Sequence, residues 1–159
     1  MSNAEQLKVR RATKDDLGIL LAFEQGVVSA ERPYDPTIKP DPVLYYDLEQ
    51  MLSDEEVAIM VVTFNEQIVG SGYAHIREAR SYLDHQKYAY LGFMYTDEAH
   101  RGKGINKMII DALKAWTITQ GINEIRLTVY SDNLPAIRAY EKVGFQSHMI
   151  EMRMDRDLL

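Results

Sequence analysis

Apolar positions along this chain switch between a period near two and a period near 3.6, and the switches outline an α/β protein. Leu7 and Val9 alternate with Lys8 and Arg10, which predicts a first strand from Leu7 to Ala12. Thr13-Lys-Asp-Asp16 then has the form of a capping box. With Thr13 as N-cap, it opens a helix expected to turn Leu17, Leu20, Leu21, Val27 and Val28 inward. Pro33, Pro36, Pro40 and Pro42 make residues 32–42 an irregular loop, and a second helix is expected from Val43 to Leu52. Val57–Phe64 and Gln67–Arg77 read as strands joined in a hairpin at Asn65-Glu66. A polar loop over 79–87 leads into Tyr88–Tyr95, aromatic and apolar enough for a buried strand.

The second half repeats the alternation. Ile105, Met108, Ile109, Ala112, Leu113 and Trp116 mark one face of a helix. Ile125, Leu127 and Val129 mark a strand, and Pro135 opens a short helix that Gly144 stops. A final strand or pair of strands is expected from Phe145 to Met154. The order βααβββαβαβ is mixed α/β. Residues 1–159 contain no repeat, linker or low-complexity stretch, so a single domain is expected.

Composition narrows the class. A chain of 159 residues with 46% apolar content can bury a real core. No apolar run approaches the length of a membrane span and the N-terminus is polar, so the expectation is a cytoplasmic protein without a membrane partner. With no cysteine there is no disulfide framework and no thiol nucleophile. The excess of 24 Asp/Glu over 18 Lys/Arg argues against nucleic acid and leans towards a cationic substrate.

The candidate chemistry begins at Arg101-Gly102-Lys103-Gly104-Ile105-Asn106, between the Tyr88 strand and the Ile105 helix. Two glycines there let the backbone approach a ligand and turn its N–H groups outward. A helix start offers unpaired donors and partial positive charge, which suits a phosphate or pyrophosphate. Arg101, Lys103 and Lys107 add charge. A P-loop is excluded, because Asp97 stands where its first glycine belongs and Gly104 follows Lys103 in place of Ser or Thr. The dinucleotide fingerprint fails at Lys107, where it needs a third glycine. A basic glycine turn without a Mg²⁺ ligand suits a pyrophosphate that is held and not broken, and no metal is expected.

Two motifs together resemble the GNAT superfamily of acyl-CoA-dependent N-acyltransferases. The family's pyrophosphate turn, Gln/Arg-x-x-Gly-x-Gly/Ala, is matched by Arg101, Gly104 and Asn106, with Asn106 larger than the usual small residue. Its second hallmark, Asn-x-x-Ala-x-x-x-Tyr-x-x-x-Gly-Phe, is matched in full by Asn133, Ala136, Tyr140, Gly144 and Phe145. The resemblance follows the whole chain in element order and is sharpest from Tyr88 to Phe145. It implies a mixed, mostly antiparallel sheet flanked by helices, with a splayed strand pair at the cofactor site. It also implies acetyl-CoA as acetyl donor and direct transfer to an amine in a ternary complex.

The resemblance also assigns roles. Met94, Tyr95 and Thr96 would expose main-chain groups to the pantetheine arm, while Arg101, Gly102, Lys103, Gly104, Ile105 and Asn106 would hold the pyrophosphate. Asn133 would hydrogen-bond the cofactor, or simply cap its helix. Tyr140 would protonate the departing thiolate, or serve as an apolar anchor past Ile137; a phenol is neutral at pH 7 and able to donate. Where many relatives carry a basic Glu, this chain has Tyr90 or Gly92. The base is therefore Glu24, Glu31, His75, Asp84 or His85, or a water relay. Tyr34, Tyr45, Tyr46 and Tyr82 are candidates for an aromatic acceptor pocket. The acceptor's identity stays open, between small molecule and peptide or protein. Alternating Ile150, Met152 and Met154 suit a homodimer edge as well as a monomer's last strand. A non-catalytic acyl-CoA sensor is the alternative reading.

Overall fold

The computed structural model describes residues 6–158, in two compact units: one up to Thr128, the other from Val129. The first unit is built on a five-stranded sheet in the order β1-β2-β3-β4-β5. The strands are β1 (Leu7–Arg11), β2 (Val57–Phe64), β3 (Gln67–Glu78), β4 (Lys87–Thr96) and β5 (Ile125–Arg126). Neighbours are antiparallel except β4 and β5, which run parallel. Helices α1 (Leu17–Glu31), α2 (Leu48–Leu52) and α3 (Ile105–Thr119) flank the sheet. The expected mixed, mostly antiparallel α/β architecture is borne out.

Both faces of the sheet centre are covered, which is why Val57–Thr63 is a continuous buried run instead of an alternating one. On one face, Leu20, Phe23 and Val27 of α1 and Leu48 of α2 pack with Val57, Ile59, Val61, Tyr73 and Phe93. On the other, α3 presses directly on β3. A Cβ at Gly70 would lie 2.5 Å from Ile105 Cγ2, and one at Gly72 would lie 2.6 Å from both Ile109 Cγ2 and Met94 Sδ. Those two glycines set how close the start of α3 comes to the sheet.

The local signals at the front of the chain act as expected. The Thr13 N–H donates to Asp16 Oδ2 at 2.7 Å, and a 3-10 turn over Lys14–Asp16 leads into α1. Arg10 grips the same carboxylate with both terminal nitrogens, at 2.8 and 3.0 Å. The hairpin turn has positive φ at both Asn65 (48°) and Glu66 (73°), the type I′ geometry that matches strand twist.

Four expectations need correction. Leu21 is 41% exposed, because the Leu20-Phe23-Val27 stripe takes the core side and Leu21 lies about 100° round the helix from Leu20. The second helix begins at Leu48 and not at Val43. The N–H groups of Tyr45 and Tyr46 are taken by the Glu24 carboxylate, and Asp47 caps the helix by accepting from the Gln50 N–H at 3.2 Å. β5 ends at Arg126, short of Leu127 and Val129. The strand expected from Phe145 to Met154 does not form: none of those residues lies in a ladder, and Met149, Ile150, Met152 and Met154 are exposed. Alternation prepares a segment for pairing, but a strand needs an edge to pair with.

The second unit centres on α4 (Leu134–Lys142), capped by Asn133, whose Oδ1 accepts from the Ala136 N–H at 3.3 Å. Its end is a Schellman motif. The Phe145 N–H reaches the Tyr140 carbonyl at 3.0 Å, and the N–H of Gly144 (φ 107°) reaches Glu141 at 3.0 Å. The Tyr140 and Phe145 rings meet edge-on with centroids 5.9 Å apart, the apolar contact that accompanies this motif.

Candidate active site

β4 carries an irregularity at its centre. Tyr73 pairs with Gly92 and Ser71 with Tyr95, so Gly72 alone opposes both Phe93 and Met94. Phe93 has φ 58°, uncommon for a residue with a side chain, and its carbonyl accepts from the buried Ser71 hydroxyl at 3.1 Å. The extra residue shifts the alternation. Phe93 meets Tyr46 (centroids 5.3 Å) and Tyr95 meets Phe23 (4.7 Å), both on the α1 side. Met94 turns instead towards Gly72 and α3. Ladder pairing between β4 and β5 stops at Tyr90 opposite Arg126, whereas β4 runs on to Thr96. Main-chain groups of Leu91–Thr96 on that edge have no β5 ladder partner among the described residues, as the expected splay requires.

The strand then feeds the glycine turn. After a 3-10 turn over Glu98–His100, Gly102 (φ 80°) and Gly104 (φ 78°) both take the left-handed conformation, and Gly104 is the N-cap of α3. A Cβ at either position would meet nothing within 4 Å, so the turn leaves open space that a side chain would fill. The first N–H groups of a helix have no intrahelical acceptor. Thr96, Arg101, Gly102, Gly104, Ile105 and Asn106 line one cavity here. Two of the three expected cations are engaged elsewhere. Lys103 Nζ lies 4.2 Å from the Phe64 ring centroid, and Lys107 pairs with Asp111 at 2.7 Å. Lys103 therefore braces the turn, with His100 on the same Phe64 ring (5.0 Å) and bonded to Asp97 at 2.9 Å.

On the α1 side of the bulge the structure gathers tyrosines. Tyr46 packs edge-on against Tyr73 (5.4 Å), Tyr45 (5.8 Å) and Phe93. Its hydroxyl hydrogen-bonds the Phe93 main chain, and burial, with Tyr73 and Glu31 nearby, pushes it well above the ordinary phenol range. Burial likewise pushes Tyr73 up to about 12, and its phenol end lies over Gly92. Both phenols stay neutral and able to donate at any physiological pH. Tyr82, by contrast, is 77% exposed on its loop and joins no such cluster.

The candidate bases separate by environment. Glu24 is fully buried and its Oε2 accepts from the main-chain N–H groups of Tyr45 (2.8 Å) and Tyr46 (2.7 Å), which makes it an anchor for that segment. Burial raises the Glu31 carboxyl, a hydrogen bond from Tyr45 opposes this, and Asp35 adds to the rise. His85 receives Arg126 at Nε2 (2.9 Å), so its proton sits on Nδ1, facing Asp84 at 2.9 Å. That imidazole is committed on both sides. His75 sits half-buried on β3, opposite Tyr90. Asn133 and Tyr140 belong to the second unit, as the cap and the last turn of α4.

The family model described as the acetyltransferase (GNAT) family matches residues 24–145. This chain belongs to the GNAT acetyltransferase family. A streptothricin acetyltransferase of Escherichia coli is 29% identical over 93 residues, covering 58% of this chain and 49% of that protein. Across the curated relatives matched, the aligned part spans from 24% to 66% of their length. Among solved structures, a tetramutant of the BH1408 protein from Bacillus halodurans superposes with TM-score 0.81 at 22% identity, covering 93% of this chain and 99% of that one. A predicted acetyltransferase with acetyl-CoA from Clostridium acetobutylicum gives TM-score 0.72 at 20% identity, over 94% and 96% of the two chains. In this GNAT chain, no helix among the described residues is long and apolar enough to cross a membrane.

The sequence offered the glycine turn and the Met94–Thr96 edge as candidates and singled out His75, but did not join Tyr90 and Arg77 to it on one face. The signal was present: Tyr73, His75 and Arg77 alternate on β3 opposite Gly92, Tyr90 and Tyr88, so all six share one sheet face.

Proposed function

We propose that this chain is an N-acetyltransferase that moves an acetyl group from acetyl-CoA directly to an amine within a ternary complex. One observation carries the reading: the unpaired edge of β4 runs straight into a glycine turn that opens a helix. An edge strand whose main chain beyond Tyr90 has no β5 ladder partner among the described residues suits the amide-bearing pantetheine arm, and an uncrowded helix N-terminus suits a pyrophosphate. Met94, Tyr95 and Thr96 serve the first; Arg101, Gly102, Gly104, Ile105 and Asn106 serve the second, with Lys103 bracing the turn. Family membership adds to this, as does the C. acetobutylicum neighbour described with acetyl-CoA.

The donor supplies a thioester carbonyl. Main-chain N–H groups beside the bulge polarise it, which favours attack by a neutral amine. A C–N bond forms and the C–S bond breaks; the nitrogen sheds one proton and the sulfur takes one, so no co-reactant is needed. Tyr140 provides the proton to sulfur, and Asn133 contributes a hydrogen bond to the donor as well as capping α4. Glu31, His75 and Asp84 remain as bases or as ends of a water relay, whereas Glu24 is withdrawn by its complete burial and His85 by its bonding. Thiol release from acetyl-CoA against an amine panel tests the reading. Tight acetyl-CoA binding with no amine-dependent thiol release would favour the sensor alternative.

A homodimer is part of this proposal. The exposed apolar residues Ile150, Met152 and Met154, at alternate positions of a segment without a ladder partner, support it. A monomer by light scattering at high micromolar concentration would reject it.

A further inference from the structure

The face that carries Tyr73 also carries two arginines laid on tyrosine rings. Arg77 of β3 sits with its guanidinium carbon 4.1 Å from the Tyr90 centroid, and Arg126 of β5 sits 4.0 Å from the Tyr88 centroid. In register, Arg77 stands opposite Tyr88 and Arg126 opposite Tyr90, so each guanidinium reaches diagonally to the other's cross-strand tyrosine. A cation on a ring face is favourable, and the stacking holds the flat fork in one orientation. Tyr90 is itself fixed, by a hydrogen bond between its hydroxyl and Thr128.

The two arginines differ in one respect. Arg126 is already engaged: its Nε lies 3.1 Å from Glu124 and its Nη2 lies 2.9 Å from His85. Arg77 forms no ion pair among the described residues. It is half-buried, oriented by Tyr90, and its charge lowers the ionisation cost of Tyr73, so it stands near the phenol that overlies the bulge. An oriented, half-exposed guanidinium without an ion-pair partner among the described residues is a receptor for a planar oxyanion.

We propose that Arg77 is a specificity-determining residue that receives a carboxylate on the amine acceptor. This rests on the acetyl-transfer reading, which puts the reacting carbonyl beside Phe93. Tyr90 and Phe93 are three residues apart, about 10 Å along a strand. The acceptor class is then an amine carrying its carboxylate several atoms from the reacting nitrogen, as in an ω-amino acid, and not a purely cationic polyamine. The overall acidic charge, which leans towards a cationic substrate, does not decide this face, where Glu124 is spent on Arg126 and Arg77 has no ion-pair partner among the described residues.

The test compares paired acceptors that differ only in the carboxylate: 5-aminopentanoate with butylamine, and lysine with 1,5-diaminopentane. Initial rates of thiol release from saturating acetyl-CoA are measured for wild type, Arg77→Gln and Arg77→Lys. Wild type should prefer the carboxylate-bearing member of a pair in kcat/KM. Arg77→Gln should lower that preference about 10- to 100-fold, the scale of a charge-assisted bidentate contact, and mainly through KM. Arg77→Lys should restore part of it, because the charge returns without the planar fork. Wild type favouring the amines without carboxylate would overturn the inference and leave acetyl transfer standing, as would equal preference in wild type and Arg77→Gln. No turnover of any amine would remove both readings together.

Discussion

Glu24 accepts the main-chain N–H of Tyr46 at 2.7 Å from a position with no solvent exposure. The same oxygen takes the Tyr45 N–H, and seven residues further along α1 Glu31 takes the Tyr45 hydroxyl. Two carboxylates on one helix face thus grip a single Tyr-Tyr pair from its backbone and its side chain. Tyr46 in turn touches the bulge residue Phe93. From α1 to the bulge of β4 the contact is continuous.

Removing this anchor should be costly. Glu24→Ala would leave two partly buried N–H groups without their acceptor, at about 1–3 kcal/mol each. Urea unfolding should show a loss of about 2 kcal/mol or more. A loss below about 0.5 kcal/mol would mean that Tyr45 and Tyr46 find other acceptors and that Glu24 does not anchor them.

At the glycine turn, Gly104→Val should weaken acetyl-CoA binding about tenfold or more. A β-branched residue at φ 78° is strained, and its methyl groups would enter the open space beside the helix N-terminus. Titration calorimetry on a variant with native circular dichroism measures this. Unchanged affinity would place the pyrophosphate elsewhere.

Tyr140→Phe should slow acetyl transfer about 10²-fold, the usual scale for a positioned acid. The ring remains, so the edge-on contact with Phe145 and the Schellman motif should survive. Single-turnover rates are the right measure, since slow product release would mask the effect in kcat. A coenzyme A thiolate is a good leaving group, so the hydroxyl has a real competitor in unaided departure. A rate within twofold of wild type, with acetyl-CoA affinity intact, would leave Tyr140 as a helix-end anchor.

Acid should loosen the front of the first unit. The Arg10 hydrogen bonds hold the Asp16 carboxyl below its ordinary value, against a smaller opposing effect of burial. A depressed folded pKa means that the ionised form stabilises the fold above the unfolded value near 4. That contribution disappears as pH falls from about 4 through the lower folded value. Asp16→Asn should cost about 1 kcal/mol at pH 7 and flatten this part of the acid limb. Chemical unfolding at pH 7 and pH 3 checks both, and an acid limb identical to wild type would show that other carboxylates set it.

Much of the fold was legible in order. Element types from Leu7 to Thr119 follow local periodicity, caps and turn residues, because those signals lie within a few residues of the backbone they shape. The glycine turn was legible for the same reason: Gly102 and Gly104 are demanded by their own φ angles. The Tyr140-Gly144-Phe145 spacing likewise writes out a helix end. What local pattern could not supply was any feature fixed by a partner distant in sequence. Val43–Tyr46 could have continued a helix, but Glu24, some twenty residues earlier, takes its N–H groups.

Phe145–Met154 has the alternation of a strand and no edge to pair with among the described residues, so pattern alone overstated it. The β4 bulge arises from pairing register with β3, and the bulge is what turns Phe93 and Tyr95 towards α1. The diagonal stacking of Arg77 and Arg126 needs three strands side by side. The sequence by itself determined the class of element at most positions and the residues of the glycine turn. Only the tertiary structure decided which side chains spend their charge and hydrogen bonds on one another and which, like Arg77, have no ion-pair partner among the described residues. Charge compensation depends on distances across the fold, and those exist only once the strands are paired.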